Sequence, residues 1–331
     1  MNWKKIPAAF VIILSVSCHV FLGPDYGDSP KEIFDRIWND FNNHYALFDI
    51  KGVDWDGIYE HYLPEIQPDM NSYRLYSVCS QMLAELNDAH VSIRTPFSNT
   101  TNNDRFNQQF IKAKLMNGGA FDGGNVFMYG LFEDKPNVGY IFIESFLVGK
   151  VDMTSGPVQS WAKKIDGILK QMENTDAIIL DIRGNRGGLG SNMEYIAGRF
   201  ISEESDYIKV YTKNGPGRND FSAPQTWTIK PSGKRYAKPV VLLSDSETTS
   251  AAERFILALR TQAHVTHSGE TTRGALSLKI VRPLVNGWEY TMSVQKVTNI
   301  EGNCYEGTGI IPNLPLTGSP ERKIEHILSL F

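Results

Sequence analysis

The chain has 331 residues, of which 41% are hydrophobic and 21% charged, with a formal net charge of −4. That balance supports one large folded domain, or two of unequal size, and excludes a disordered chain. The acidic sign excludes nucleic-acid binding by general electrostatics. Cys18, Cys79 and Cys304 are too few and too far apart for a disulfide scaffold or a structural zinc site.

Taken in chain order, the first segment is an export signal. Lys4 and Lys5 precede a mostly apolar run from Ile6 to Ser17. The run is shorter than the ~20 residues a membrane-spanning helix needs and suits a signal peptide. Ser15 and Ser17 lead into Cys18, which resembles the lipidated cysteine of a bacterial lipoprotein. The alternative is an ordinary cleaved signal with an incidental cysteine. Both place the mature protein outside the cytoplasm, with residues 1–28 as signal and tether, and the lipidated form in the cell envelope (periplasm, outer membrane or cell surface). Membrane contact is then through a lipid anchor at Cys18. Cys79 and Cys304 either pair in an oxidising compartment or stay as separate buried thiols.

Residues 29–90 read as a small helical domain. Ser29-Pro30-Lys31-Glu32 is a capping box with proline at the first helical position. Ile33, Phe34, Ile37, Trp38 and Phe41 follow at helical spacing. Two further helices carry Trp55, Ile58, Tyr59, Tyr62 and Leu63, then Leu75, Val78, Cys79, Met82, Leu83 and Leu86. Residues 96–135 are polar and rich in Asn, Gly and Asp, with an exposed loop at Asn99–Asn107.

From there to residue 331 strands and helices alternate. Strands are expected at Gly139–Ile143, Ala177–Ile182, Val240–Leu243, Val265–Ser268, Ser277–Arg282 and Glu289–Val297. Helices are expected at Val158–Met172, Asn192–Ile201 and Ser250–Arg260, and from Ser319 onward with Ile324, Ile327, Leu328 and Phe331 on its apolar face. The alternation predicts an α/β domain over 91–331 with a largely parallel sheet.

Three segments at strand ends carry unusual residues, and ligands of α/β sheets bind at strand ends. Asp181-Ile182-Arg183-Gly184-Asn185-Arg186-Gly187-Gly188 runs from a strand into a glycine cluster whose amides suit a negative charge. Its bland reading is a tight turn with an Asp181–Arg183 ion pair. Ser246 to Glu253 crowds hydroxyls before a helix, so Ser250 is either a nucleophile in the helix-terminal field or a simple cap. Asn87-Asp88-Ala89-His90 puts an imidazole, the side chain that titrates near neutrality, at a helix-to-strand junction.

Together these segments resemble the C-terminal processing (tail-specific) serine peptidases and their tricorn-core and retinoid-binding-protein relatives. Asp181–Gly188 is similar to the family's D-[LVI]-R-x-N-x-G-G. Ser250-Ala251-Ala252-Glu253 is similar to S-A-[SA]-E, and Gly269–Gly274 to G-x-x-T-x-G. Glu306–Asn313 is similar to E-x-x-G-[IV]-x-P-D, with asparagine closing it, and Leu86–His90 to L-x-D-[GA]-H. The resemblance implies a crotonase/Clp-protease-like β-α spiral core behind a helical N-terminal domain.

It also implies a site. Family members with a Ser-Lys dyad carry lysine directly after G-x-x-T-x-G, and here that residue is Ala275. Lys279 lies four residues further, about 13 Å at strand rise, and is not expected to substitute. The tricorn-like branch uses histidine and glutamate. The implied set is Ser250 as nucleophile, His90 as general base and Glu306 orienting the imidazole. Gly187 or Gly188 with Ala251 would form the oxyanion hole. The relay serine of the tricorn type is replaced by Ala89, so Glu306 would act directly, through water, or through a hydroxyl such as Ser92.

The stretch between His90 and Gly139 is too short for an added PDZ domain. The implied substrates are peptides or unfolded tails. No metal or organic cofactor and no nucleic acid is implied. The rival readings are a non-catalytic peptide- or ligand-binding protein on the same fold, a crotonase-like acyl-CoA enzyme, and a Ser-Lys peptidase with a displaced lysine.

Overall fold

The computed structural model describes residues 27–97, 109–149 and 156–331. Cys18, its preceding signal and the Asn99–Asn107 loop lie outside the described residues. Helix α1 (Pro30–His44) starts as its sequence dictates. Ser29 caps it, Glu32 returns a bond to the Ser29 amide, and Ile33, Phe34, Ile37 and Phe41 are buried. Helices α2 (Trp55–Tyr62) and α3 (Ser72–Ala84) are capped by Asp54 and Asn71. The apolar faces of α1–α3 share one core with Trp288, Tyr290 and Met292 from the far end of the chain.

Strands β1 (Ser92–Arg94), β2 (Ala120–Asp122), β3 (Phe127–Leu131) and β4 (Val138–Ile143) follow. Next come α4 (Ile165–Gln171), β5 (Ala177–Asp181), α5 (Gly190–Ala197), β6 (Ser205–Thr212), β7 (Gln225–Ile229) and β8 (Val240–Ser244). Helix α6 (Ala251–Leu259), β9 (Val265–Gly269), β10 (Lys279–Pro283), β11 (Glu289–Ser293), β12 (Gln295–Thr298), β13 (Leu314–Pro315) and α7 (Pro320–Leu328) complete the order.

The main sheet has strand order β13-β9-β8-β5-β4-β3-β2. It is parallel from β13 to β4 and antiparallel at β3 and β2. Strands β4, β5 and β8 are buried along their whole length, because helices cover both sheet faces. Two smaller antiparallel sheets, β12-β6-β7 and β1-β11-β10, flank it. This is the mixed α/β architecture with a helical N-terminal region that the sequence predicts.

Several details differ. Strands β2 and β3 extend the main sheet within the stretch read as polar, where Phe127, Met128 and Tyr129 supply a short buried run. Strands β6 and β7 had no sequence signal strong enough to name. The expected strand Glu289–Val297 breaks at Val294, where the chain leaves one sheet for another. The helix expected from Val158 is a short 3-10 turn at Ala162–Lys164 running into α4. Phe331 lies beyond α7 and is exposed rather than on its apolar face. Among the described residues Cys79 and Cys304 are separate free thiols.

Candidate active site

A cavity of about 1050 Å³ opens at the carboxyl ends of β5 and β8, and both Ser250 and His90 line it. Gly188, Ala251, Arg254 and Lys279 line it too. Parallel strands deliver their following turns to one rim, which is why motifs far apart in sequence meet there.

Ser250 is held in an unusual backbone state, φ 63° and ψ −122°, immediately before α6. This conformation favours glycine, and a side-chain-bearing residue in it stores ~1–3 kcal/mol of strain. Glu253 holds it in place. Its Oε2 accepts the amides of Ser250 (3.0 Å) and Ala275 (2.8 Å). Its Oε1 accepts the Thr272 hydroxyl (2.6 Å) and the Gly274 amide (2.7 Å). Glu253 is fully buried, and burial pushes its pKa above the ordinary range while these four donors pull against the shift. One carboxylate therefore locks the Ser250 turn to the Gly269–Gly274 turn. Thr272 extends the lock by accepting the Ile310 amide (2.8 Å).

The glycine segment packs on the same turn. The Asn185 carbonyl accepts the Thr249 amide (3.0 Å), and a Cβ on Gly187 would sit 2.8 Å from the Ser250 Cβ. The expectation for Gly187 needs correction as an oxyanion donor: its amide donates to Asn185 Oδ1 (2.8 Å) and it does not line the cavity. Gly188 does line it. The bridge to Phe146 uses the Gly187 carbonyl and the Leu189 amide, so the Gly188 amide stays out of it. Ala251 is the first residue of α6, where a helix amide has no intrahelical acceptor. Asp181 and Arg183 form a buried ion pair at 2.6 Å, joined by the Tyr140 hydroxyl, so that end of the motif is architectural.

His90 sits in the turn between α3 and β1. Its amide donates to Asp88 Oδ1 (2.8 Å) and its carbonyl accepts the Thr291 hydroxyl (2.6 Å). Asp88 is held in turn by the Tyr45 hydroxyl (2.9 Å). Burial lowers the imidazole pKa to about 4, with Lys279 and Arg254 adding repulsion against the nearby Asp88 charge. The ring is therefore neutral at pH 7, the state a base requires. Nδ1 is buried without a hydrogen-bond partner among the described residues. Among the described residues a second buried histidine, His267, bonds Ser244 (2.8 Å) and lies off the cavity.

Glu306 lies behind the cavity wall. Its Oε1 accepts the amides of Leu276 (3.0 Å) and Ser277 (2.6 Å), and Oε2 is buried without a partner among the described residues. Burial, then the charges of Asp88 and Glu253, raise its pKa to about 8. No hydrogen bond joins Glu306 to His90 among the described residues, and Ser92 is bonded to Thr291 (2.8 Å). Direct orientation of His90 by Glu306 is absent from this geometry. Arg254 carries no expectation from the sequence, and Lys279, expected to lie too far from Ala275 to replace a dyad lysine, lines the same cavity as Ser250. Arg254 lies in the first turn of α6, where its amide donates to the Ser250 carbonyl (3.1 Å).

Comparison with known proteins bears on the family and the fold. The model of peptidase family S41 matches residues 137–316, and that of the tricorn protease C1 domain matches residues 26–84. The carboxy-terminal processing protease CtpB of Bacillus subtilis (strain 168) is 27% identical over 180 residues, 54% of this chain and 34% of that protein. The chain thus spans about a third of the length of this curated relative. A candidate peptidase from Parabacteroides merdae ATCC 43184 superposes with a TM-score of 0.79 at 26% identity, over 92% of this chain and 97% of that one. Mature CPAF shares the fold with a TM-score of 0.68 at 11% identity, over 91% and 96% of the two chains. With its model matching more than half of the residues, the chain belongs to peptidase family S41, a family of serine peptidases that includes carboxy-terminal processing proteases.

Proposed function

We propose that this protein is a serine endopeptidase of the cell envelope, secreted or lipid-anchored through Cys18, that cleaves peptides or unfolded protein tails. The observation that carries the reading is Ser250 in its strained turn on the same cavity as a neutral, buried His90. In the reaction His90 takes the proton of the Ser250 hydroxyl as oxygen attacks the substrate carbonyl. The amides of Gly188 and Ala251 receive the developing oxyanion. His90 then donates its proton to the leaving amine, and water repeats the sequence on the acyl-enzyme. The proposed organisation is a tether to residue 28, a helical region over 29–90 and a catalytic region over 91–331. No helix among the described residues is long and apolar enough to cross a membrane.

Glu306 is assigned the support of the protonated imidazole through water or through space. Two ionisations then shape the rate. A base works only when unprotonated, so activity is lost as pH falls through about 4, where His90 takes a proton. A carboxylate supports imidazolium only when charged, so activity rises as pH rises through about 8, where Glu306 ionises. Glu306→Gln should erase the upper rise and lower kcat about tenfold at pH 9, with little change in KM. A wild-type rise that persists in Glu306→Gln would remove Glu306 from the mechanism.

The function itself is tested by incubating the purified protein with a denatured protein and mapping new termini by mass spectrometry. New internal cleavages that vanish in Ser250→Ala support the reading. Intact substrate with protein recovered in a complex would favour the non-catalytic binding alternative.

A further inference from the structure

We propose that the wall of the cavity beyond Ser250 is a subsite for a carboxylate, formed by Arg254 and Lys279, and that the peptidase prefers substrates carrying an acidic group next to the scissile bond. The inference rests on the peptidase reading of the same cavity and names the substrate chemistry it takes.

The argument is a charge account of the cavity lining. Arg186 and Arg273 both pair with Glu247, at 2.8 and 3.2 Å, and Asp245 on the same rim supplies a second negative charge, so that side of the opening is self-compensated. Arg254 is not. Its Nε and Nη2 both donate to the single carbonyl of Leu276 (2.9 and 2.6 Å), and its guanidinium lies over Trp227 at 5.1 Å. Among the described residues no carboxylate lies within 4 Å of it. The ammonium of Lys279, half-buried at the start of β10, has neither hydrogen bond nor ion pair among the described residues. A carbonyl dipole and an aromatic face offset part of a buried cation's desolvation cost, and a carboxylate offsets far more.

One acid counts against the balance. Glu194 of α5 lines the cavity and feels the Arg254 charge, yet it stays outside ion-pair distance, and burial raises its pKa. Burial, then the Arg94 charge, lower the Lys279 pKa, and two cations without a carboxylate partner among the described residues against one acid leave the wall positive. Both cations also act on His90, which places them close to the group that handles the proton. A substrate carboxylate seated there would cancel that repulsion and make His90 a stronger base. The same anion is available as an Asp or Glu side chain or as a free C-terminus.

The test uses quenched peptides that differ only in Asp or Glu against Asn or Gln on either side of the cleaved bond, all with amidated C-termini. A second arm compares a neutral peptide with free and amidated C-termini. Wild-type protein should favour the carboxylate at least tenfold in kcat/KM in one arm, and that arm identifies its source. Lys279→Glu should invert the preference, a ratio that is internal to the variant. Equal rates in both arms, with Ser250 labelled by a fluorophosphonate, would overturn the subsite and leave the peptidase reading standing. No labelling and no cleavage of any peptide would overturn both.

Discussion

Ser250→Ala and His90→Ala should each lower kcat/KM for peptide hydrolysis by about 10⁴-fold, and the double variant should be little worse than either. Non-additivity is the informative part. A nucleophile and its base act on one proton, so removing either removes the step. A matching stability effect separates this account from general disruption. Ser250 holds φ 63° with a side chain, where glycine is at ease. Ser250→Gly should therefore raise unfolding stability by roughly 1 kcal/mol while abolishing activity. Denaturant unfolding measured beside the rates would check both. A Ser250→Gly protein that is less stable than wild type would deny that the turn is strained.

The largest stability loss is expected at Glu253→Gln, which touches no substrate. Glu253 accepts four donors with its two oxygens. Glutamine keeps one acceptor oxygen and turns an NH₂ group toward at least one amide donor. Opposed donors in a fully buried place cost roughly 3–5 kcal/mol. For a domain of this size that corresponds to a fall in Tm of roughly 10 °C. Because the Ser250 amide is one of the four donors, activity should fall as well. A thermal melt within 2 °C of wild type would show that the four-donor lock carries little, by the same scale.

Much of the architecture was legible because it rests on patterns local in sequence. The apolar runs of β4, β5 and β8 mark strands buried on both faces, and Ser29-Pro30-Lys31-Glu32 marks a helix start. Strands β6 and β7 were not legible. They flank one face with partly exposed, mixed polar residues, so neither alternation nor an apolar run stands out. The break at Val294 depends on which sheet each half joins, a tertiary matter.

The site divides the same way. The motif order placed Ser250 and His90 as partners, and the fold brings both to one cavity. Which amides are free could not be read from composition. Gly187 and Gly188 look equivalent in sequence, and only the Asn185 side chain separates them by taking the Gly187 amide. Glu306 spends one oxygen on Leu276 and Ser277, an engagement that arises only once the Gly274 and Glu306 turns meet. Arg254 sits one turn into the helix that follows Ser250, and its meaning emerges only from the absence of a nearby carboxylate partner among the described residues.

The central claim is an activated Ser250 with a histidine base. It is tested most directly by labelling with a serine-reactive fluorophosphonate, read by intact mass and peptide mapping, on wild type and His90→Ala. The account predicts a single adduct on Ser250 in wild type that is lost in the His90 variant. Equal labelling of both proteins, or an unlabelled wild type under conditions that modify a control serine peptidase, would contradict it.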